Sequence, residues 1–152
     1  SKFDIAKLSN IKNDAIKSIL SAKLLEAHNR GISISVEVEE PISNFRIELL
    51  DFITVLSVLC DNAIEAAAET ISPKMTVVFI NNDNSLVLIV ENSIKSEKVE
   101  VSHIFVRGHS SKGEGRGIGL YNVNSILEKY PKSTITTRSA NHLFSQTIRF
   151  CK

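Results

Sequence analysis

"FRIELLDFITVLSVLCDNAIEAAAE", residues 45–69, is apolar at helical period for about six turns. A stretch so long and so apolar reads as the central buried helix, yet Asp61, Asn62 and Glu65 place polar groups inside it. Asn62 and Glu65 stand three apart, on one face. A buried amide needs partners, and two roles meet that need. Asn62 can satisfy a neighbouring backbone group, with Asp61 at the helix edge. It can equally offer its carboxamide oxygen to Mg2+, a hard cation that takes one or two protein oxygens and completes its shell with water and phosphate.

Upstream of this helix, residues 1–30 carry Ile5, Leu8, Ile11, Ala15, Ile16, Ile19, Ala22, Leu24, Leu25 and Ala27 at mostly helical spacing. The pattern predicts one long helix with Gly31 as its stop. "ISISVEVEE" (32–40) then alternates apolar and polar, the period of a half-buried strand, until Pro41 ends it. Downstream, "KMTVVFI" (74–80) and "SLVLIVENS" (85–93) flank the turn-forming "NNDN", an antiparallel hairpin. "GIGLYNVNSILEKY" (117–130) predicts a third helix stopped at Pro131, and "STITTRS" and "LFSQTIRF" pair around "ANH". Helices segregated from a mixed, mainly antiparallel sheet make a two-layer α/β sandwich of the α+β class. The polar, weakly periodic segment 95–114 is expected to be a mobile loop.

Composition bounds the remaining choices. At 152 residues the chain is one domain by length and can hold a core without staples. Two cysteines, Cys60 in an apolar run and Cys151 near the end, make no disulfide framework and fit a reducing, intracellular compartment. A net charge of +1 gives no bulk field to recruit nucleic acid or an anionic membrane. The longest aliphatic run, 86–90, is far too short to span a bilayer, and the N-terminus lacks a signal-type apolar segment. The missing initiator methionine suggests a piece of a longer protein.

Five of the six glycines, Gly108, Gly113, Gly115, Gly117 and Gly119, fall in "GHSSKGEGRGIGLYNV" (108–123), which runs into the predicted third helix. A glycine-rich loop entering a helix offers unpaired N–H groups, reinforced by the helix dipole, to closely approaching phosphate oxygens. No Lys-Ser/Thr pair follows the last glycine, so this is no P-loop. The strand that precedes a dinucleotide fingerprint is missing too. Taken alone, the glycines fit a solvent loop with a glycine-assisted helix start as well as a phosphate cradle.

Together, "LCDNAIEAA", "VENS" and "SSKGEGRGIGLYNV" resemble the ATP-binding domain shared by histidine kinases, DNA gyrase, Hsp90 and MutL. Within that superfamily they are most similar to the peptide-responsive quorum-sensing kinases of Gram-positive bacteria, of the staphylococcal accessory-gene-regulator type. The resemblance runs from Gly31 to Phe150. It implies an ATP-binding catalytic domain over 31–152, preceded over 1–30 by a helical remnant of the dimerisation or linker region. The implied cofactors are ATP and Mg2+. Asn62 becomes the metal-coordinating asparagine, with Glu65 beside it, and Asn92 lies at the adenine corner. Gly115, Gly117 and Gly119 surround the triphosphate, and Leu120 closes the motif. Phe105 matches the aromatic before an ATP lid, and Lys112 or Arg116 neutralises phosphate charge. The implied reaction is transfer of the γ-phosphate to a histidine on paired dimerisation helices of the same kinase, and onward to a response regulator. The implied place is the cytoplasmic part of a membrane receptor, with no nucleic acid and no direct membrane contact.

Two departures from the superfamily matter. Asn92 stands where most members have an Asp, although an amide can both accept from adenine N6 and donate to a ring nitrogen. Val58, one helical turn before Asn62, replaces the glutamate that activates water in hydrolysing members, which argues against a slow ATPase. None of His28, His103, His109 and His142 is placed as a phosphoacceptor, so the isolated chain is expected not to autophosphorylate. A nucleotide-binding scaffold without transferase activity is the alternative.

Overall fold

Three α-helices and five strands form among the described residues, 5–98 and 114–151, of the computed structural model. In chain order they are α1 (Asp14–Asn29), β1 (Ser33–Val38), α2 (Leu49–Ala68), β2 (Lys74–Asn81), β3 (Leu86–Ser93), α3 (Glu114–Leu127), β4 (Thr134–Ala140) and β5 (Leu143–Phe150). The strands make one sheet in the order β1-β2-β3-β5-β4. β1 and β2 run parallel, and every other pair is antiparallel. Parallel neighbours need a long crossover, and α2 lies within it. The expected α/β sandwich with a mixed, mainly antiparallel sheet is the observed fold.

Alternation along the strands puts one face of the sheet under the helices. Ile34, Val36 and Val38 of β1, Val77 and Phe79 of β2, and Ile148 and Phe150 of β5 are all buried there. Phe52 of α2, with no exposed surface, is the hub of this core. Its ring meets Phe45 edge-on at 4.9 Å and Phe150 at 4.9 Å, with Phe79 at 6.5 Å. Such offset and edge-to-face pairs are the favoured aromatic geometries.

The first thirty residues do not form the single helix that their spacing predicts. Ile5–Asn10 is a short 3-10 helix, and Ile11 then bridges Ile42 in an isolated parallel pairing. Polar side chains cause the break. Asn10 Nδ2 donates to the Val38 carbonyl at 2.6 Å, and Asn13 caps α1 by accepting from the Ile16 N–H at 3.0 Å. Leu8, Ile11, Ile16, Leu20, Leu24 and Ala27 all enter the same core as the sheet. Packing therefore continues across residue 30, where Gly31 ends α1 with φ +81°.

The central helix starts at Leu49 rather than at residue 45. Arg46 has φ +74°, and its N–H is held by Asn44 Oδ1 in a local turn. Its guanidinium donates to Asn81 Oδ1 and to the Asn82 carbonyl, which pins this lead-in to the β2–β3 turn. Phe45 and Ile47 are buried as the chain passes. The β4–β5 turn places Asn141 and His142 at φ 56° and 63°, the left-handed pair of a tight hairpin.

Candidate functional site

α2 has two flanks, and they serve different neighbours. On one, Asp61 pairs with Lys23 of α1 at 2.6 Å. Burial alone would lower the Lys23 pKa, but the hydrogen bond and charge of Asp61 hold it above its ordinary value. Asp61 is thereby turned toward α1. Below it Cys60 is fully buried, and loss of solvation, helped by the Asp61 charge, pushes its thiol up to about 12. A groove of about 340 Å³ lined by Ser18, Ile19, Ala22, Lys23, Glu26 and Ser57 lies along this α1 side, away from Asn62.

The other flank carries Val58, Asn62 and Glu65 on successive turns, each partly buried. Here α3 approaches. A Cβ built on Gly119 would stand 3.2 Å from Val58 Cγ1, so a bare α-carbon at 119 lets the two helices meet closely. Beside this contact the Asn62 amide nitrogen is buried and lacks a hydrogen-bond partner among the described residues. Buried donors are almost always paired. An unpaired one points to something the site receives.

The glycine motif is placed differently from its sequence reading. α3 begins at Glu114, three residues before the predicted start, so Gly115 joins Gly117 and Gly119 in its first two turns. The first turn of a helix leaves its N–H groups without intrahelical acceptors, so an anion can still be met there. Leu120 packs against the core, and Val123 and Leu127 anchor the rest of α3. Phe105, Lys112 and most of the expected lid lie outside the described residues, and the side chain of Arg116 is not described.

Asn92, the last residue but one of β3, lies on the helix-facing side of the sheet and is 4% exposed. Its Nδ2 donates to the Ser93 carbonyl at 2.9 Å, which leaves the carboxamide oxygen available as an acceptor. Ser93 is a positioning residue that sequence reasoning missed. Its hydroxyl accepts from the Lys74 N–H at 3.0 Å and meets the Thr70 hydroxyl at 3.0 Å, tying the end of α2 to the Asn92 corner. The only sequence signal was a serine following Asn92. A second missed cluster holds the far end of α3. The Tyr130 hydroxyl donates to Asp51 Oδ2 at 2.6 Å and accepts from the Glu48 N–H at 3.2 Å, while Lys129 pairs with Asp51 at 2.9 Å. The Tyr130 hydrogen bond, with Lys129, holds the Asp51 carboxyl below its usual range against the opposing effect of burial.

A family model described as the GHKL domain matches residues 47–151, which spans α2, the hairpin and everything to the end of β5. The chain belongs to the GHKL domain family. Among similar proteins, sensor protein CitS of Bacillus subtilis (strain 168) is 33% identical over 126 residues, covering 79% of this chain and 23% of that protein. Sensor histidine kinase DcuS of Escherichia coli (strain K12) is 29% identical over 144 residues, 91% of this chain and 26% of that one. The chain thus spans about a quarter of the length of these relatives. The fold matches the nucleotide-free catalytic domain of histidine kinase ThkA with a TM-score of 0.74 at 21% identity, covering 93% of this chain and 92% of that one. It also matches full-length ShkA, solved in complex with AMPPNP, at a TM-score of 0.70 and 14% identity, covering 89% of this chain and 28% of that one. This GHKL domain is accordingly of the kind found in sensor histidine kinases. Among the described residues, none of its helices is long and apolar enough to cross a membrane.

Proposed function

We propose that the chain is the ATP-binding catalytic domain of a sensor histidine kinase, taking Mg-ATP between α2 and α3. The observation that carries this reading is the Asn62 carboxamide, whose buried Nδ2 has no hydrogen-bond partner among the described residues, so that the amide is free to turn its oxygen toward a metal on the flank of α2 against which α3 packs. The donor chemistry fits the group. Asn62 contributes a carboxamide, and among the described residues no cluster of three or more His, Cys, Asp or Glu comes together. A single amide suits Mg2+, which keeps waters and phosphate oxygens in most of its shell. Bound Mg-ATP supplies the transferable phosphoryl group and the metal charge that neutralises it.

The chain's own residues then have distinct tasks. The Asn62 carboxamide oxygen would hold the metal, with Glu65 one turn on beside it. The open N–H groups of the first turn of α3 receive the triphosphate, where Gly115 and Gly117 admit it without side chains. Asn92 meets the base and Leu120 packs beneath it, while the family resemblance gives Phe105 the place of the aromatic before the lid and Lys112 or Arg116 the neutralising of phosphate charge. Val58 offers no group to activate water, so γ-phosphate passes to a protein nucleophile in preference to hydrolysis. The acceptor is a histidine on dimerisation helices outside this chain, whose imidazole nitrogen forms the new N–P bond as ADP departs. A response regulator receives the phosphoryl group next. The motifs "VENS" and "SSKGEGRGIGLYNV" favour a quorum-sensing kinase of the accessory-gene-regulator type, the cytoplasmic part of a membrane receptor.

The deciding experiment mixes this chain, labelled ATP and Mg2+ with and without the histidine-bearing helical segment of the same kinase. Acid-labile label should form on that segment and only when it is present. Label on His28, His103, His109 or His142, or nucleotide binding with no transfer to any helical segment, removes the kinase assignment and leaves a nucleotide-binding scaffold.

A further inference from the structure

Asp61 and Asn62 are consecutive on α2, and Glu65 stands four residues past the first and three past the second. Residues three and four apart are neighbours on a helix surface, so Glu65 lies between Asp61 and Asn62. The flank that would take a triphosphate therefore has two carboxylates within about one turn of its amide. Like charges at this spacing oppose each other, and both oppose an approaching phosphate.

One of the two acids is compensated from another helix. Lys23 of α1 meets Asp61 Oδ1 at 2.6 Å and holds it on the α1 side. Burial opposes the charge on Lys23, yet the hydrogen bond and charge of Asp61, with the charge of Glu26, keep its pKa above the ordinary value. The Lys23 side chain is 23% exposed against 49% for Asp61, so the cation is the more enclosed partner. It lines the groove between α1 and α2 with Ile19, Ala22 and Ser57, while Leu20, Leu24 and Ala27 lock α1 into the core. Among the described residues Asp61 has no other ion-pair partner. A pair this open to water adds little to stability, and its main effect falls on what the neighbouring flank of α2 binds.

We propose that Lys23 is a positioning residue for nucleotide binding: it holds and neutralises the Asp61 carboxylate on the α1 side, so that phosphates approaching Asn62 meet the charge of Glu65 alone. This rests on the Mg-ATP site of the preceding section and adds to it a residue that never touches the ligand. Without the ammonium group, Asp61 is an uncompensated anion one residue from Asn62. Mg-ATP, itself a net anion, is then repelled. Charges near a protein surface act over about one Debye length, ~10 Å at 0.1 M salt, so the effect reaches this site and fades as salt is added.

The test is calorimetric titration of the whole chain with Mg-ATP at low and at high salt, repeated for Lys23→Met, which keeps an apolar stem and drops the charge. Lys23→Met should weaken binding about fivefold at low salt and by less than about twofold at high salt. Adding Asp61→Asn to it should return the wild-type affinity, because the repelling acid is gone. A loss caused by packing would not be returned by a second substitution. Asp61→Asn alone leaves the cation of Lys23 uncompensated and should bind Mg-ATP more tightly than wild type at low salt, which decides the matter should Lys23→Met fail to fold. Equal affinities in wild type and Lys23→Met, or a loss that the double variant keeps or high salt leaves unchanged, overturns the role of Lys23 and leaves the nucleotide site standing. So does an Asp61→Asn chain that binds no more tightly than wild type. A wild-type chain that does not bind Mg-ATP overturns both.

Discussion

Gly119 of α3 faces Val58 of α2 so closely that a methyl group on residue 119 would sit 3.2 Å from Val58 Cγ1. Valine in a helix is stiff about χ1 and cannot swing aside. Two opposing effects therefore act on Gly119→Ala. The helix gains up to about 1 kcal/mol from alanine's higher propensity, and the contact with Val58 takes that gain back. In the wild-type background the substitution should be close to neutral. In a Val58→Ala background it should stabilise by about 1 kcal/mol, since only the propensity gain remains. Urea unfolding of the four proteins in a double-mutant cycle checks this, and strictly additive effects would show that the two helices do not touch here.

Asn62→Ala should leave the nucleotide-free protein as stable as the wild type. Its side chain sits beside, not within, the apolar stripe of Phe52, Val55, Leu59 and Ala63, and its buried nitrogen gives up no hydrogen bond. What should vanish is the stabilisation by Mg-ATP, worth about 2.7 kcal/mol when ligand is at a hundred times its Kd. Thermal melts with and without Mg-ATP measure both quantities. Equal upward shifts in wild type and variant would remove Asn62 from the metal site.

The cluster at the far end of α3 makes a prediction about acid. Asp51 has its folded-state pKa depressed, first by the Tyr130 hydrogen bond. Its contribution is therefore complete above the unfolded carboxyl value of about 4 and disappears as pH falls through the lower folded value. Tyr130→Phe should cost about 1 kcal/mol at neutral pH, the modest worth of a solvent-accessible hydrogen bond to a charge. Asp51→Asn should flatten the loss of stability on the acid side. Unfolding free energy measured from pH 3 to 7 tests the sign, and an unchanged slope in Asp51→Asn would discard the cluster as an acid-sensitive contact.

Cys60 and Cys151 should react at very different rates. Burial holds the Cys60 thiol up at about 12 with no exposed surface, whereas Cys151 is partly exposed. A thiol reagent at pH 8 should modify Cys151 in the native chain and Cys60 only on unfolding. Rapid native labelling of both would mean that α2 opens far more readily than its core packing implies.

Most of the fold was legible because period and burial agree in its strands and in α2. The alternation of Ile34, Val36 and Val38, the apolar stripe around Phe52 and the turn at Asn141 each state their geometry locally. The errors occur where a polar side chain overrides the pattern. Asn10 and Asn13 cut the first helix through long-range and capping hydrogen bonds, and Arg46 delays α2 by anchoring to the β2–β3 turn. Gly115 was read as loop because propensity counts against glycine in helices, and at Gly119 the deciding contact is with Val58, sixty-one residues earlier in the chain, which only the position of α3 against α2 reveals. Asn62 and Asn92 stood out as polar residues in apolar runs. Ser93 and Tyr130 did not, since each lies in a sequence where polar residues are ordinary and only tertiary neighbours give them a task.

The position of β5 between β3 and β4 bears on how the chain reaches this state. Both hairpin partners of the C-terminal unit are local, but the pairing of Leu86 with Phe150 closes a loop of more than sixty residues. Contacts of such sequence separation form slowly. During synthesis β3 is made long before the strand that covers it, and its open edge is then free to pair with another chain. β5, the last of the five described strands in chain order, is an interior strand of the sheet. Shortening the chain by a few residues from Phe150 backwards would thus open the sheet in the middle, and aggregation during expression, rather than weaker nucleotide binding, is the phenotype to expect of such truncations.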